Sequence, residues 1–409
     1  MSVFDDIESE VRSYCRRWPV IFERATGSYL YGEDGRCYLD FFAGAGALNY
    51  GHNNAVAKQA LLEYIASDGV AHSLDMHTTA KRRLLETLTE LILTPRGLSY
   101  RVQFTGPTGA SVVEAALRLA RKFTGRRTVV SFAAAFHGMT VAARSVSDER
   151  LREVTDPIDP RTTVQLPFCS DGERPDLSLV DSALLEMEVA AVIVETVQGE
   201  GGVRPGDPAW LRGLSELCQA RDVLLVIDDV QVGCGRTGPF FSFEGYGFQP
   251  DIVCLSKSIS GFGLPLALLL VRPEVDVWRP GEHSGTFRGN NHAFVTAAAT
   301  LGAYWSDDAL ETHTVEAGGR LAAALAALSA EYGELGVTYR GRGLIGGLAF
   351  PSSDFASKVC SASFEQGLLL ETAGRQGEVV KLMPPLTISQ ADLDAGVQVL
   401  RDAIHTVLS

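Results

Sequence analysis

The chain has 409 residues, 46% hydrophobic and 21% charged, with 41 glycines and a formal net charge of −14. At about 100–200 residues per domain, that length carries two or three structural units and a substantial core. The composition excludes disordered, collagenous and disulfide-scaffold classes. An acidic sum with no basic run argues against nucleic acid or an anionic membrane surface as partner.

The N-terminus, MSVFDDIESEVRSYCRRW, is acidic, with no apolar core behind a basic flank. No stretch approaches about 18 uninterrupted apolar residues, so neither export nor membrane insertion is expected. The seven cysteines are widely spaced and never form a C-x-x-C pair. They read as reduced thiols of a cytoplasmic protein rather than zinc ligands or disulfides.

Residues 20–50 predict a hairpin arm: a short strand at Tyr29-Leu30-Tyr31, a turn at Glu33-Asp34-Gly35-Arg36, and a second strand over 37–42 entering a Gly/Ala-rich loop. From 100 to 272, short β-branched apolar runs at 100–104, 128–132, 190–194, 223–227, 252–255 and 266–271 alternate with helical patterns such as 111–124. That alternation predicts βαβ units and a doubly wound sheet. Several runs are apolar at successive positions, as strands covered on both faces are. A helix over 320–331, Gly-rich strands over 336–350 and a final helix over 390–407 predict an α+β cap, completed by the N-terminus. The expected division is 1–60 for the arm and part of the small domain, 61–305 for the large domain, and 306–409 for the C-terminal small domain.

Ligands of open α/β sheets lie beyond the carboxyl ends of the strands. The run at 223–227 stops at Asp228-Asp229-Val230-Gln231, and that at 252–255 stops at Ser256-Lys257-Ser258. An acid and a lysine therefore share one rim. Burial disfavours the ammonium and makes the amine nucleophilic toward a carbonyl. A buried carboxylate beside it calls for a cationic partner, which a protonated pyridine nitrogen would supply. A plain Asp–Lys ion pair fits those two residues equally well. Thr105-Gly106-Pro107-Thr108-Gly109-Ala110 follows a strand and opens a helix, so free amides and the helix dipole would face an anion. It lacks both the P-loop lysine and the dinucleotide glycine pattern. Phe136-His137-Gly138 offers a ring for stacking.

Five motifs occur in order: Phe136-His137-Gly138, Glu195-Thr196-Val197-Gln198-Gly199-Glu200-Gly201-Gly202, Asp228-Asp229-Val230-Gln231, Ser256-Lys257 and Gly285-Thr286-Phe287-Arg288-Gly289-Asn290. The series resembles the class III, or ω-amino, aminotransferases of pyridoxal phosphate fold type I, over nearly the whole chain. The resemblance implies an α/β fold with a mostly parallel central sheet and helices on both faces, plus a smaller α+β domain from both termini. It implies pyridoxal phosphate as cofactor, a small-molecule amino donor and keto acceptor, no metal, and at least a homodimer.

Residue by residue, the resemblance implies that Lys257 carries the cofactor through its amine and moves the proton. Asp228 would keep the pyridine nitrogen protonated, and Gln231 would bond the phenolic oxygen side. Phe136 would stack on the ring with His137 beside it, while Gly109 and Ala110 donate amides to the phosphate. Thr286 would reach the phosphate held by the neighbouring subunit. Glu195 and Glu200 would lie near the substrate, the second able to neutralise a basic substrate-binding side chain. Where many relatives have an arginine shortly before Pro-Leu-Thr, this chain has Lys381, a point charge without the bidentate fork. Arg12, Arg288 and Arg375 are further candidates for holding a substrate carboxylate.

The stretches 10–16, 41–54, 106–109 and 286–291, with Lys381, resemble the diaminobutyrate-forming branch that serves ectoine synthesis. The implied reaction moves the amino group of L-glutamate to L-aspartate 4-semialdehyde. Another ω-amine such as ornithine or lysine, a natural-product intermediate, or an aminomutase needing no 2-oxoglutarate are the alternatives. The intact Lys257, Asp228 and Gln231 argue against a non-catalytic binding protein. His72 and His77 around Asp75 match no ligand spacing, and Cys234 reads as a packing residue.

Overall fold

The structure is a computed structural model describing residues 3–151, 162–170, 172–173 and 176–409. The arm forms as its turns require: β1 (Phe22–Thr26), β2 (Tyr29–Gly32) and β3 (Cys37–Asp40) make an antiparallel meander. Asp40, buried at the end of β3, accepts hydrogen bonds from the amides of Phe42 and Ala43 and, at 2.7 Å, from His52 Nε2. That one carboxylate fixes the start of the Gly/Ala-rich loop.

The central strands are β4 (Arg101–Phe104), β5 (Thr128–Phe132), β6 (Thr163–Leu166) and β7 (Val189–Val194). Two-residue strands β8 (Val197–Gln198) and β9 (Arg204–Pro205) form a separate ladder. After them come β10 (Leu224–Asp228), β11 (Ile252–Leu255) and β12 (Leu268–Val271). Seven of these pair in the order β4-β12-β11-β10-β7-β5-β6. Every pairing is parallel except the two made by β12. The connection 256–267 holds only the short turn Lys257–Ser260 and no crossover helix, so the chain can return only antiparallel. Strands β5, β7, β10, β11 and β12 are buried along their whole length, which is why their sequences are continuously apolar. The edge strand β6 (Thr163-Val164-Gln165-Leu166) is half-exposed and carries no such run, so the sequence does not announce it.

The helix Gly109–Thr124 begins where Thr108 Oγ1 accepts the amide of Ser111 at 3.2 Å, and it ends at Gly125 in the left-handed region. Val113, Leu117 and Ala120 are fully buried, and so are Val112, Ala115, Ala116 and Leu119. This helix is therefore covered on most of its circumference and forms one core layer with β5, β7, β10, β11 and β12.

Near the C-terminus, β13 (Thr338–Arg342), β14 (Ile345–Ala349), β16 (Glu371–Ala373) and β17 (Val379–Leu382) form an antiparallel sheet in the order β13-β14-β17-β16. Strand β15 (Leu368–Leu369) leaves this set to pair in parallel with β3, so both ends of the chain share one sheet. A fully buried guanidinium adds a second tie. Arg236 Nη1 donates to the Leu344 carbonyl at 2.9 Å and to that of Pro384, while Nη2 donates to Asn49 Oδ1 at 2.6 Å. Among the described residues, no helix is long and apolar enough to cross a membrane.

Candidate active site

Strands β10 and β11 are parallel neighbours with Asp228 opposite Cys254, so the residues that follow each strand emerge at one rim. Lys257 departs from β11 with φ of +51°, in the left-handed region that non-glycine residues rarely adopt. Such a backbone costs on the order of 1–3 kcal/mol and is held only where its surroundings enforce it. A cavity of about 170 Å³ opens at this rim. Its lining comes from loops after five strands: Gly109 and Ala110 after β4, Phe136, His137 and Gly138 after β5, Glu195 and Glu200 after β7, Asp228, Val230 and Gln231 after β10, and Lys257 after β11.

Burial lowers the Lys257 pKa, and the nearby Lys381 charge lowers it further against the pull of Glu200. Asp228 is gripped from two sides. Its Oδ2 lies 2.6 Å from His137 Nδ1, and its Oδ1 accepts the Val230 amide at 3.1 Å. Burial opposes the charged imidazole of His137, but the hydrogen bond and charge of Asp228 outweigh it and raise the pKa. Glu195 accepts the amides of Phe136 at 3.1 Å and Gly199 at 3.4 Å, and burial pushes its carboxyl up to about 7.

Glu200 behaves in the opposite way. Burial alone would raise it, but Lys381 and Lys257 outweigh that and hold it at about 2. Its Oε1 lies 2.6 Å from Lys381 Nζ and 3.0 Å from Gln231 Nε2. Lys381 itself is completely enclosed, with Glu371 Oε1 at 2.9 Å on its other side.

Two polar atoms of the lining, Gln231 Oε1 and His137 Nε2, are buried with no hydrogen-bond partner. A Cβ on Gly109 would come within 2.9 Å of Val230 Cγ1, so only glycine leaves the helix N-terminus open at this point.

The family model for class-III aminotransferases matches residues 13–404. This chain belongs to the class III aminotransferases. It is 55% identical to a diaminobutyrate–2-oxoglutarate transaminase from Nocardia farcinica, over 99% of this chain and 94% of the relative. It is 47% identical to a transaminase of the same name from Vibrio parahaemolyticus, over 100% of this chain and 98% of the relative. A solved ornithine aminotransferase from Toxoplasma gondii, described as having partial occupancy of PLP at its active site, superposes with a TM-score of 0.87. The two are 26% identical, over 99% of this chain and 93% of that one.

A class III aminotransferase works with pyridoxal phosphate, and the lining fits that group. The amides at the start of the helix Gly109–Thr124 suit a phosphate, Asp228 suits a protonated ring nitrogen, and the Lys257 amine suits an aldehyde. The unpartnered Gln231 oxygen and the space that Gly109 leaves open point the same way.

The other residues singled out in the sequence lie around this cavity rather than in its lining. Lys381 stands behind Glu200. Thr286 is exposed and its carbonyl accepts His72 Nε2 at 2.9 Å, while Arg288 pairs with His283. Arg12 approaches Asp5 and Glu8 at 3.6 Å each, and Arg375 meets Asp148 at 3.2 Å. No arginine is part of the lining. Cys234 is buried, and burial raises its thiol pKa.

Sequence reasoning missed two participants. Glu371 faces Lys381 directly across β16 and β17. Its signal was an acid following the buried run Leu368-Leu369-Leu370. Tyr14 comes from the N-terminal segment, where burial and the charges of Glu371 and Glu200 push its hydroxyl up to about 12.

Proposed function

We propose that this class III aminotransferase moves the amino group of L-glutamate to the aldehyde carbon of L-aspartate 4-semialdehyde, giving L-2,4-diaminobutyrate and 2-oxoglutarate. The observation that carries the catalytic reading is the convergence of Lys257, Asp228 and Glu200 on one small cavity. The relatives' printed names, at 47–55% identity over nearly the full length, support the substrate pair.

Bound pyridoxal phosphate supplies an aldehyde for the amine and a protonated ring that accepts electrons. The chain supplies the rest. Lys257 Nζ, with its ammonium disfavoured by burial, accepts a proton from the substrate carbon and returns it. Asp228, fixed by His137 and by the Val230 amide, holds a proton on the ring nitrogen through its charge. The Gly109 and Ala110 amides bind the phosphate, Phe136 lies on the ring, and Gln231 bonds the ring oxygen. Glu195 and Glu200 present carboxylates to the substrate, and the narrowness of the cavity excludes water.

The reading extends to a cytoplasmic homodimer serving ectoine synthesis, in which Thr286 contacts the cofactor of the partner subunit. The exposed apolar side chains Phe287, Met139 and Met76 support a second copy on that side. The pairing of β3 with β15 supports the division into 1–60, 61–305 and 306–409.

The experiment is a panel of amino donors with 2-oxoglutarate, read as glutamate formed. 2,4-Diaminobutyrate should give the highest kcat/KM. A preference for ornithine, lysine or another ω-amine would replace the substrate assignment, and turnover without 2-oxoglutarate would favour an aminomutase.

A further inference from the structure

Lys381 meets two carboxylates where one would neutralise it. Its Nζ lies 2.6 Å from Glu200 Oε1 and 2.9 Å from Glu371 Oε1. The three side chains differ in access: Lys381 is 0% exposed, Glu371 3% and Glu200 28%, and only Glu200 lines the cofactor cavity. Glu371 and Lys381 are held together by the register of β16 and β17, whereas Glu200 sits on a glycine-flanked loop. Gln231 Nε2, 3.0 Å away, offers Glu200 a hydrogen bond that does not depend on Lys381.

Charge follows from this count. A substrate entering the cavity meets the Glu200 carboxylate first, which attracts an ammonium group and repels a second carboxylate. A dicarboxylate reaches Lys381 only when Glu200 gives it up. With one carboxylate per lysine, that exchange would expose a full positive charge. Here Glu371 stays behind, and what is exposed is an already neutralised pair.

We propose that Glu371 is a specificity-determining residue of the aminotransferase reaction: by keeping Lys381 neutralised, it loosens the hold on glutamate and 2-oxoglutarate and favours a substrate carrying a second ammonium group. Glu371 does not line the cavity and acts through Lys381, so it is a positioning residue. The proposal rests on the substrate reading given above.

The test compares the wild-type holoenzyme with Glu371→Gln, which keeps the shape and removes the charge. Each is titrated calorimetrically with glutarate, a five-carbon dicarboxylate that cannot react. Glutarate affinity and 1/KM for 2-oxoglutarate should each rise about tenfold in the variant, KM for 2,4-diaminobutyrate should rise, and kcat should stay within about threefold. Glu371→Asp, which restores the charge, should return all three toward wild type. It also supplies the reading if the glutamine variant does not fold, because its longer contact should shift glutarate affinity in the same direction by less. Unchanged glutarate affinity, or a loss confined to kcat, would overturn the proposal. If 2,4-diaminobutyrate is inert with the wild type, the substrate reading fails, while the glutarate titration still decides the role of Glu371.

Discussion

His137 Nδ1 lies 2.6 Å from Asp228 Oδ2, and both side chains are buried. A carboxylate can only accept, so the imidazole donates and fixes the plane of the acid. Under the proposed roles, Asp228→Ala should lower kcat by about 10²–10³-fold, as loss of a preorganised charge does. His137→Ala removes only the orientation and should cost about 10–100-fold, the range for second-layer partners. Steady-state kinetics and cofactor affinity of both variants check this ordering. Equal losses would mean that His137 does more than position Asp228.

The Lys381 cluster predicts an asymmetry in stability. Lys381→Met would leave Glu200 and Glu371 buried against each other without a cation, and breaking a buried pair in this way costs about 3–5 kcal/mol. Glu371→Gln leaves Lys381 paired with Glu200 and should cost far less. Denaturant midpoints of the two variants measure the difference.

Burial pushes Glu195 up from 4.5 to about 7. Burial likewise pushes Asp229, bonded to Ser242, up from 3.8 to about 7. Between those values the folded protein keeps protons that the unfolded chain has released. The folded state therefore binds more protons, and stability falls as pH rises from about 4 to 7. For Glu195 the shift corresponds to about 3 kcal/mol at most. Thermal melts of the cofactor-free protein across this range should show the decline, and Glu195→Gln should flatten it.

Arg236 is the single buried side chain that bonds Asn49, Leu344 and Pro384 together. Arg236→Ala would strand those three acceptors, each unsatisfied group costing about 1–3 kcal/mol, so the variant should lose several kcal/mol in denaturant unfolding. Arg236→Lys should recover only part, because an ammonium lacks the planar fork.

The sequence made the parallel strands and the rim residues legible because burial on both faces demands continuous apolar runs, and Asp228 and Lys257 terminate two of them. Edge strand β6 was silent because half-exposure relaxes that demand. Within the candidate site, Glu371 and Tyr14 escaped notice because their place depends on contacts between distant segments. The β16–β17 register brings Glu371 to Lys381, and the folding of the N-terminal segment brings Tyr14 near the same charges. Lys381 was visible as a departure from the arginine pattern, but its enclosure by two carboxylates is a property of packing alone.

The most direct measurement is borohydride reduction of the protein reconstituted with pyridoxal phosphate, followed by peptide mass mapping. The cofactor should be fixed to the peptide carrying Lys257, with visible absorbance before reduction and none in Lys257→Ala. Cofactor fixed to another lysine, or undiminished absorbance and turnover in Lys257→Ala, would contradict the assignment of Lys257 as the cofactor-bearing residue.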